Sequence, residues 1–301
     1  MAVRRCLRWW TPLVAAVLAV CAPGVRPTPV RAQAPDPFVA GFTASMFSGL
    51  NVNDARAALA LWANEIASTR GLHISVTVEA FDKPDDVRAA IDAHRLQLLL
   101  LSLRQFHELG RPAFGRVLLG GRHGAFRDEY LLVTRRGAAA SLAALKGRTL
   151  HVVDGVTDDM SRAWLEHELT AASLPPVAVH FGAVVHLPKA ARAVLPVYFG
   201  QADACLVTKA AFETLVELNP QVGRTLSALA TSPPLVSGVV LLDRRYTETR
   251  PALLEALLGL GASPRGQQVL SLFGVDAMTP ARPEDLAPSL QLLSAAARRR
   301  P

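Results

Sequence analysis

"HISVTVEAFDKPDDVRAAIDAHRLQLLLLS", His73 to Ser102, sets the fold class. "HISVTVEAF" alternates apolar and polar residues, the period of a strand. "DKPDDVRAAIDAH" follows with a proline at its entry, where a helix tolerates one, and Val87 and Ile91 fall on one face. The stretch closes on "LQLLLLS" (96–102), the continuous apolar run expected of a parallel strand covered on both sides. Upstream, "VAGFTASMF" (39–47) reads as a buried strand and "SGLNVNDA" breaks it. Asn53 or Asp54 is placed to cap the next helix, in which Leu59, Trp62 and Ile66 recur at helical spacing. Three βα units in succession predict a doubly wound α/β sheet.

Beyond residue 114 the pattern shifts. "GRVLLGGRHGAFRDEYLLVTRRG" holds two strand-like segments around a polar turn, and "SLAALKGRTLHVVDG" begins a new αβ series that continues through "VAVHF" and "QADACLVT". "SPPLVSGVVLLDRR" is a Pro-rich crossing followed by another strand, and after it helices alone are expected, "PALLEALLGLG" and "PRGQQVLSLFG". This order predicts two α/β lobes, the first comprising residues 35–133 and 237–301 with the C-terminal tail, the second residues 134–236. The two crossings, near 134 and 235, form a hinge.

The chain has 301 residues, half of them hydrophobic, enough for one large core or two smaller ones. Arg4, Arg5 and Arg8 precede the short apolar run "LVAAVLAV" (13–20), and small residues follow, which predicts a secretory signal over residues 1–32 cleaved after Ala32. "RRCLRW" offers a twin-arginine variant, and "LAVC" a lipoprotein-like box in which Val20 is large for its position. Five of the 32 basic residues and no acid lie in that leader. The mature charge is therefore 27 basic against 25 acidic, or +2, instead of +7. No basic stripe carries interleaved aromatics, so nucleic-acid binding is not expected.

Catalytic signatures are absent. No Walker loop, dinucleotide fingerprint or nucleophile elbow occurs. Of the eight histidines none forms a His-x-x-x-His pair; the nearest two, His180 and His186, fall in loop-like sequence. Neither a metal, a cofactor nor an enzyme activity is expected. Cys205, the lone cysteine of the mature chain, sits in the apolar run "ACLV", where a thiol stays protonated.

Open α/β sheets bind ligands at the carboxyl ends of their strands. In the first lobe these ends bring Ser48 and Asn53, then Phe81 and Asp82, then Ser102, which is also placed to cap a helix. In the second they bring Thr157 and Asp158 after "TLHVVDG", Lys189, and the segment around Asp203, for which a structural turn is the alternative. Tyr130 completes the candidate set. Gly155 permits a tight turn before Thr157. Asp158 either caps its own helix and complements the dipole or grips a cationic or zwitterionic solute.

"NVNDARAALALWANEIASTRGL", "SLAALKGRTLHVVDGVTDD", "FGQADACLVTKAAFETLVELNP" and "PRGQQVLSLFG", in that order, resemble the phosphate/phosphite/phosphonate-binding family of extracytoplasmic solute-binding proteins. The resemblance covers nearly all of the mature chain. It implies the type II periplasmic-binding-protein clamp, with each lobe a mixed sheet flanked by helices. It also implies a small polar or oxyanionic solute as ligand and the membrane permease of an ABC importer as partner. A membrane sensor kinase is the alternative partner, and the chain is expected to be monomeric. The family's Ser-Thr-Ser-Gly run at the second-lobe helix start survives here as Thr157, with Asp158 and Asp159 in place of the Ser and Gly. The family's aromatic after the first-lobe strand is absent, Phe81 standing before the position, and Lys189 offers a cation that offsets the acids.

Overall fold

The computed structural model describes residues 34–43, 46, 51–110, 114–122, 124–249 and 251–297. The leader, Ser48 and the terminal arginines lie outside the described residues. Strands β1 (Asp36–Thr43), β2 (Ile74–Phe81) and β3 (Leu98–Ser102) alternate with helices α1 (Val52–Thr69), α2 (Pro84–Asp92) and α3 (Leu103–Glu108). β1 pairs in parallel with both β2 and β3, as three βα units require. The helix cap before α1 is Asn51, not Asn53 or Asp54: its side chain accepts from the Asn53 and Asp54 N–H groups at 2.9 and 3.3 Å.

The first sheet is completed by β4 (Gly115–Gly121), β10 (Gly238–Asp243) and β11 (Ala277–Pro280), all joined antiparallel, in the order β11-β4-β10-β3-β1-β2. The second sheet contains β5 (Tyr130–Arg135), β6 (Thr149–Val153), β7 (Ala183–Leu187), β8 (Ala204–Thr208) and β9 (Leu226–Thr231), in the order β7-β6-β8-β5-β9. Its helices are α4 (Val156–Ala171), α5 (Val177–His180), α6 (Ala190–Phe199), α7 (Lys209–Leu218) and α8 (Pro220–Thr225). After β10 come α9 (Arg244–Thr249), α10 (Pro251–Leu258), α11 (Pro264–Leu272) and α12 (Pro283–Ala297).

Thr134 lies inside β5 of the second sheet, so the chain leaves the first sheet earlier than expected, between Gly121 and Tyr130. It returns between Thr231 and Gly238. The segment after β10 is not helical throughout, because β11 adds an edge strand.

Three apolar clusters organise Pro35–Pro301, which forms one unit. One face of the first sheet packs under α1, α10 and α11 through Phe38, Val76, Leu100, Val240 and Leu253. The outer face of the second sheet packs under α6 and α8 through Val133, Val194, Cys205 and Val222. Between them a shared core joins both sheets: Leu99 and Leu101 of β3, Leu132 of β5, Val152 of β6, Trp164 of α4 and Leu290 of α12. α12 packs against α3 and α4 together, so the last helix does not belong to the first sheet alone. Among the described residues no helix is long and apolar enough to cross a membrane.

Candidate ligand-binding cleft

β6 runs parallel between β7 and β8, and its carboxyl end delivers Asp154 and Gly155 to the start of α4. Gly155 has φ 118°, a conformation that costs a side chain strain and glycine little. As the N-cap residue it also has no side chain to accept, so the first-turn N–H groups of α4 have no side-chain cap. The Asp158 N–H is satisfied by the Gly155 carbonyl at 3.0 Å, and the sixteen-residue helix turns the positive end of its dipole to whatever lies in front of it.

Thr157, Asp158 and Asp159 point different ways. Thr157 lines a cavity. Asp158 approaches Arg162 one turn later, Oδ2 to Nη1 at 3.8 Å, while its Oδ1 is buried without a hydrogen-bond partner among the described residues. Burial raises the Asp158 pKa above its ordinary value; Arg162 and His186 oppose the rise, and Asp159 and Asp154 add to it. Asp159 crosses to the first sheet's elements. Its Oδ2 accepts from the Ser102 hydroxyl at 3.0 Å and its Oδ1 from Arg104 Nη1 at 2.9 Å. Neither acid lines the cavity.

The two sheet crossings form the floor of the cleft. Asp128 and Leu235 exchange backbone hydrogen bonds at 2.7 and 2.8 Å, zipping the outgoing and returning chains together. Side chains reinforce the zipper. The Tyr130 N–H donates to Ser232 Oγ at 2.8 Å, Tyr130 Oη meets Ser237 Oγ at 2.6 Å, and Ser237 Oγ donates to Asp128 Oδ2 at 2.6 Å. Burial raises the Asp128 pKa, against the Ser237 hydrogen bond and the Arg122 charge. Burial raises the Tyr130 pKa well above its ordinary value, and Asp128 adds to it.

A cavity of 530 Å³ opens here. Its polar wall consists of Thr157, Thr208, Ser237, Asp128, Arg122 and Arg127. The Thr208 hydroxyl accepts from the Ala211 N–H at 3.3 Å, capping α7, and keeps its own proton to donate. Arg127 is paired with Asp285 at 2.8 Å. Arg122 donates from Nε to the Gly274 carbonyl at 2.7 Å, and its charge acts on Asp128 in the same wall.

The sequence candidates scatter around this centre. Thr157 is in the cavity wall, and Tyr130 reaches it through Ser237. Ser102 is fully buried; its side chain closes a capping box with Gln105 at the start of α3 and then binds Asp159, so it faces the second sheet's helix and not a ligand. Asn53 and Asp82 are exposed, and Phe81 is buried in the shared core. Lys189 is exposed at the start of α6 and makes no side-chain cap bond. Asp203 sits at the opposite end of its sheet. It accepts from the N–H of Thr149, the first residue of β6, at 2.9 Å and lies 3.6 Å from Arg148, which is the amino end of the parallel strands. Arg122, Arg127, Asp128, Thr208 and Ser237 were not among the candidates. Four of the five flank or lie in the crossings, where no periodicity marks them; Thr208 ends a strand and was legible by the carboxyl-end rule.

One group among the described residues has metal-ligating geometry. Asp154, Asp158 and His186 each bring a ligand atom to within 4.8 Å of the others, with His186 Nδ1 and Asp154 Oδ1 at 2.8 Å. His186 is therefore in strand β7 and paired with a carboxylate, not in a loop beside His180, whose Nε2 meets the Leu142 carbonyl at 2.9 Å. Cys205 is buried, and burial pushes its thiol pKa up.

Comparison with known proteins places this arrangement. A family model for periplasmic substrate-binding proteins of ABC phosphonate transporters matches residues 46–286. Among curated protein sequences none matches. A binding-protein component of an ABC phosphonate transporter from Pseudomonas aeruginosa is 15% identical, with a TM-score of 0.59 over 88% of this chain and 87% of that one. PhnD1 from Prochlorococcus marinus, in complex with methylphosphonate, is 14% identical, with a TM-score of 0.59 over 88% and 98% of the two chains. The periplasmic aliphatic sulphonate binding protein SsuA from Escherichia coli is 14% identical, with a TM-score of 0.51 over 88% and 92%. At these identities the likeness shows the fold, the two-lobed type II periplasmic-binding architecture expected from the sequence. Because the family match spans most of its length, the chain belongs to the periplasmic substrate-binding proteins of ABC phosphonate transporters.

Proposed function

We propose that this protein captures a phosphonate- or phosphate-type oxyanion at the polar wall of the cleft and presents it to the permease of an ABC importer. The single observation that carries the reading is the convergence of Thr157, Thr208 and Arg122 on one cavity in front of the uncapped α4. Two hydroxyl donors, a guanidinium and the positive end of a helix dipole are what an oxyanion requires. The acids at 158 and 159 do not oppose it, because one turns to Arg162 and the other to Ser102 and Arg104. The solved relatives bound to methylphosphonate or named for aliphatic sulphonate take ligands of the same chemical kind.

In this reading the lobes divide at the crossings, residues 122–129 and 232–237, and these paired segments are the hinge. The leader is removed after Ala32, so that the exported monomer begins at Gln33, which amino-terminal sequencing checks. A permease and an ATPase encoded beside the gene fit the importer; a sensor kinase there would instead mark the signalling alternative.

Thermal shift and calorimetry with methylphosphonate, phosphate, phosphite and short sulphonates test the assignment. A bound oxyanion at one hundred times its Kd stabilises the fold by about 2.7 kcal/mol. Thr157→Val and Arg122→Gln should each weaken binding by about tenfold or more, the range for a lost hydrogen bond to a charged group. Unaltered melting with all four anions, or unchanged affinity in both variants, would refute it.

A further inference from the structure

The cavity does not end at its polar wall. From Ser237 and Gly238 it continues along one face of the first sheet, between Phe38, Val78, Leu100 and Val240 on the strands and Ala63 and Phe273 on the helical side. Residues at spacing two on each strand share this face, so the chamber is a continuous apolar layer. Protein interiors ordinarily leave few voids larger than a water molecule. The whole cavity, polar mouth included, has a volume of 530 Å³, more than the room taken by ten waters at about 30 Å³ each, and its aliphatic stretch offers such waters no hydrogen bonds. β3 records the difference between its two faces. Leu99 and Leu101, turned to the shared core, are 0% exposed, whereas Leu100, turned to the chamber, is 9% exposed. Ile74 and Val76 on β2 keep 9% and 8% on the same side. The same face is closed at Phe42, Leu118 and Leu242, which are 0–1% exposed, so the accessible stretch is confined to the side of β2 and β3 beneath α1.

We propose that the native ligand is an amphipathic oxyanion, an unbranched alkyl chain carrying a phosphonate or phosphate head, with the head at Thr157, Thr208 and Arg122 and the tail in the apolar chamber beneath α1. This rests on the oxyanion reading above and adds to it a substrate class. A methyl group would leave the chamber empty, whereas a long tail replaces lost packing contacts along its whole length.

The test is calorimetry on the exported protein with methyl-, butyl-, octyl- and decylphosphonate, each below its micellar concentration. Decyl phosphate serves as a second head and decanol as a headless control. Affinity should rise by about fourfold per methylene until the chamber is full, and decanol should bind at least tenfold more weakly than decylphosphonate. Ala63→Phe, which fills the chamber from α1, should cut the decyl-to-methyl affinity ratio at least tenfold; if that variant does not fold, the chain-length slope of the unmodified protein decides alone. Binding of methylphosphonate with no gain from longer chains overturns the tail and leaves the oxyanion clamp standing. Equal binding of decanol and decylphosphonate, with none of methylphosphonate, overturns the oxyanion head and with it the amphiphile as stated. Binding of none of the probes overturns the amphiphile, and the response to phosphate, phosphite and the short sulphonates then decides whether the oxyanion clamp stands.

Discussion

Asp158 and Asp159 are adjacent in the chain and serve different parts of the molecule. Successive helical residues are about 100° apart around the axis, so one carboxylate reaches back to its own helix at Arg162 and the other reaches across to Ser102 and Arg104. Asp158 is held at a cost: burial raises its pKa, with Arg162 and His186 offsetting part of the rise and Asp159 and Asp154 adding to it. The consequence for stability has a definite sign. A carboxyl whose folded pKa lies above the unfolded one carries no penalty at pH well below its ordinary value of 3.8. As pH rises from there through the folded pKa, the unfolded chain ionises first and the native state loses stability; above the folded pKa the loss is constant. Asp158→Asn should therefore gain stability relative to the parent at pH 7 compared with pH 3, as read from urea unfolding at both values. A gain equal at the two values, or larger in acid, would contradict the burial argument. The sequence placed Thr157 and the acids at a helix start after a strand. It did not determine which acid faces the other sheet, because that depends on the rotation of α4 about its axis, which packing of Trp164 and Met160 fixes.

At the scale of elements, what the sequence made legible was local. Ser102 was placed to cap a helix, and α3 begins there; the structure adds Gln105 as its partner in a capping box, with Ser102 accepting from the Gln105 N–H at 3.2 Å and Gln105 accepting from the Ser102 N–H at 3.1 Å. The parallel run β1, β2, β3 was legible for the same reason, since each strand and helix carries its own period. The elements that escaped are those whose signal is interrupted or short. β11 is a four-residue edge strand ending in Pro280. α12 contains Pro288, which removes an intrahelical donor and so reads as a break. Its packing compensates: Leu286, Leu290 and Leu293 enter the shared core, and Ser289 accepts from the Val236 N–H at 2.8 Å, fastening the last helix to the returning crossing. Arg127 to Asp285 fastens it to the outgoing one. The crossings themselves have no period at all, so Ser237 and Arg122 could not be read as site residues from a single chain.

For the whole molecule, the contact of Asp159 with Ser102 and Arg104 is a latch between the two sheets' helices, α4 on one side and α3 on the other. It is made entirely within the protein. A clamp that closes only around its ligand has to gain closure from the ligand; in the proposed clamp this contact supplies part of that closure before any ligand arrives. A latch of partly exposed groups, with side chains about a quarter accessible for both Arg104 and Asp159, contributes on the order of 1 kcal/mol, or about fivefold in the closed-to-open ratio. Apparent affinity scales with the fraction of the binding-competent state. Asp159→Ala should therefore open the unliganded protein, increase its radius of gyration in X-ray scattering, and weaken oxyanion binding by up to about fivefold, although residue 159 does not line the cavity. Adding saturating ligand should return the variant to the radius of the parent. Ser102→Ala in the Asp159→Ala background should change little more, because the partners of the latch are already separated. If Asp159→Ala leaves both the unliganded radius and the affinity unchanged, the contact is a surface pairing of two helices and the lobes are held by α12 and the zipped crossings alone.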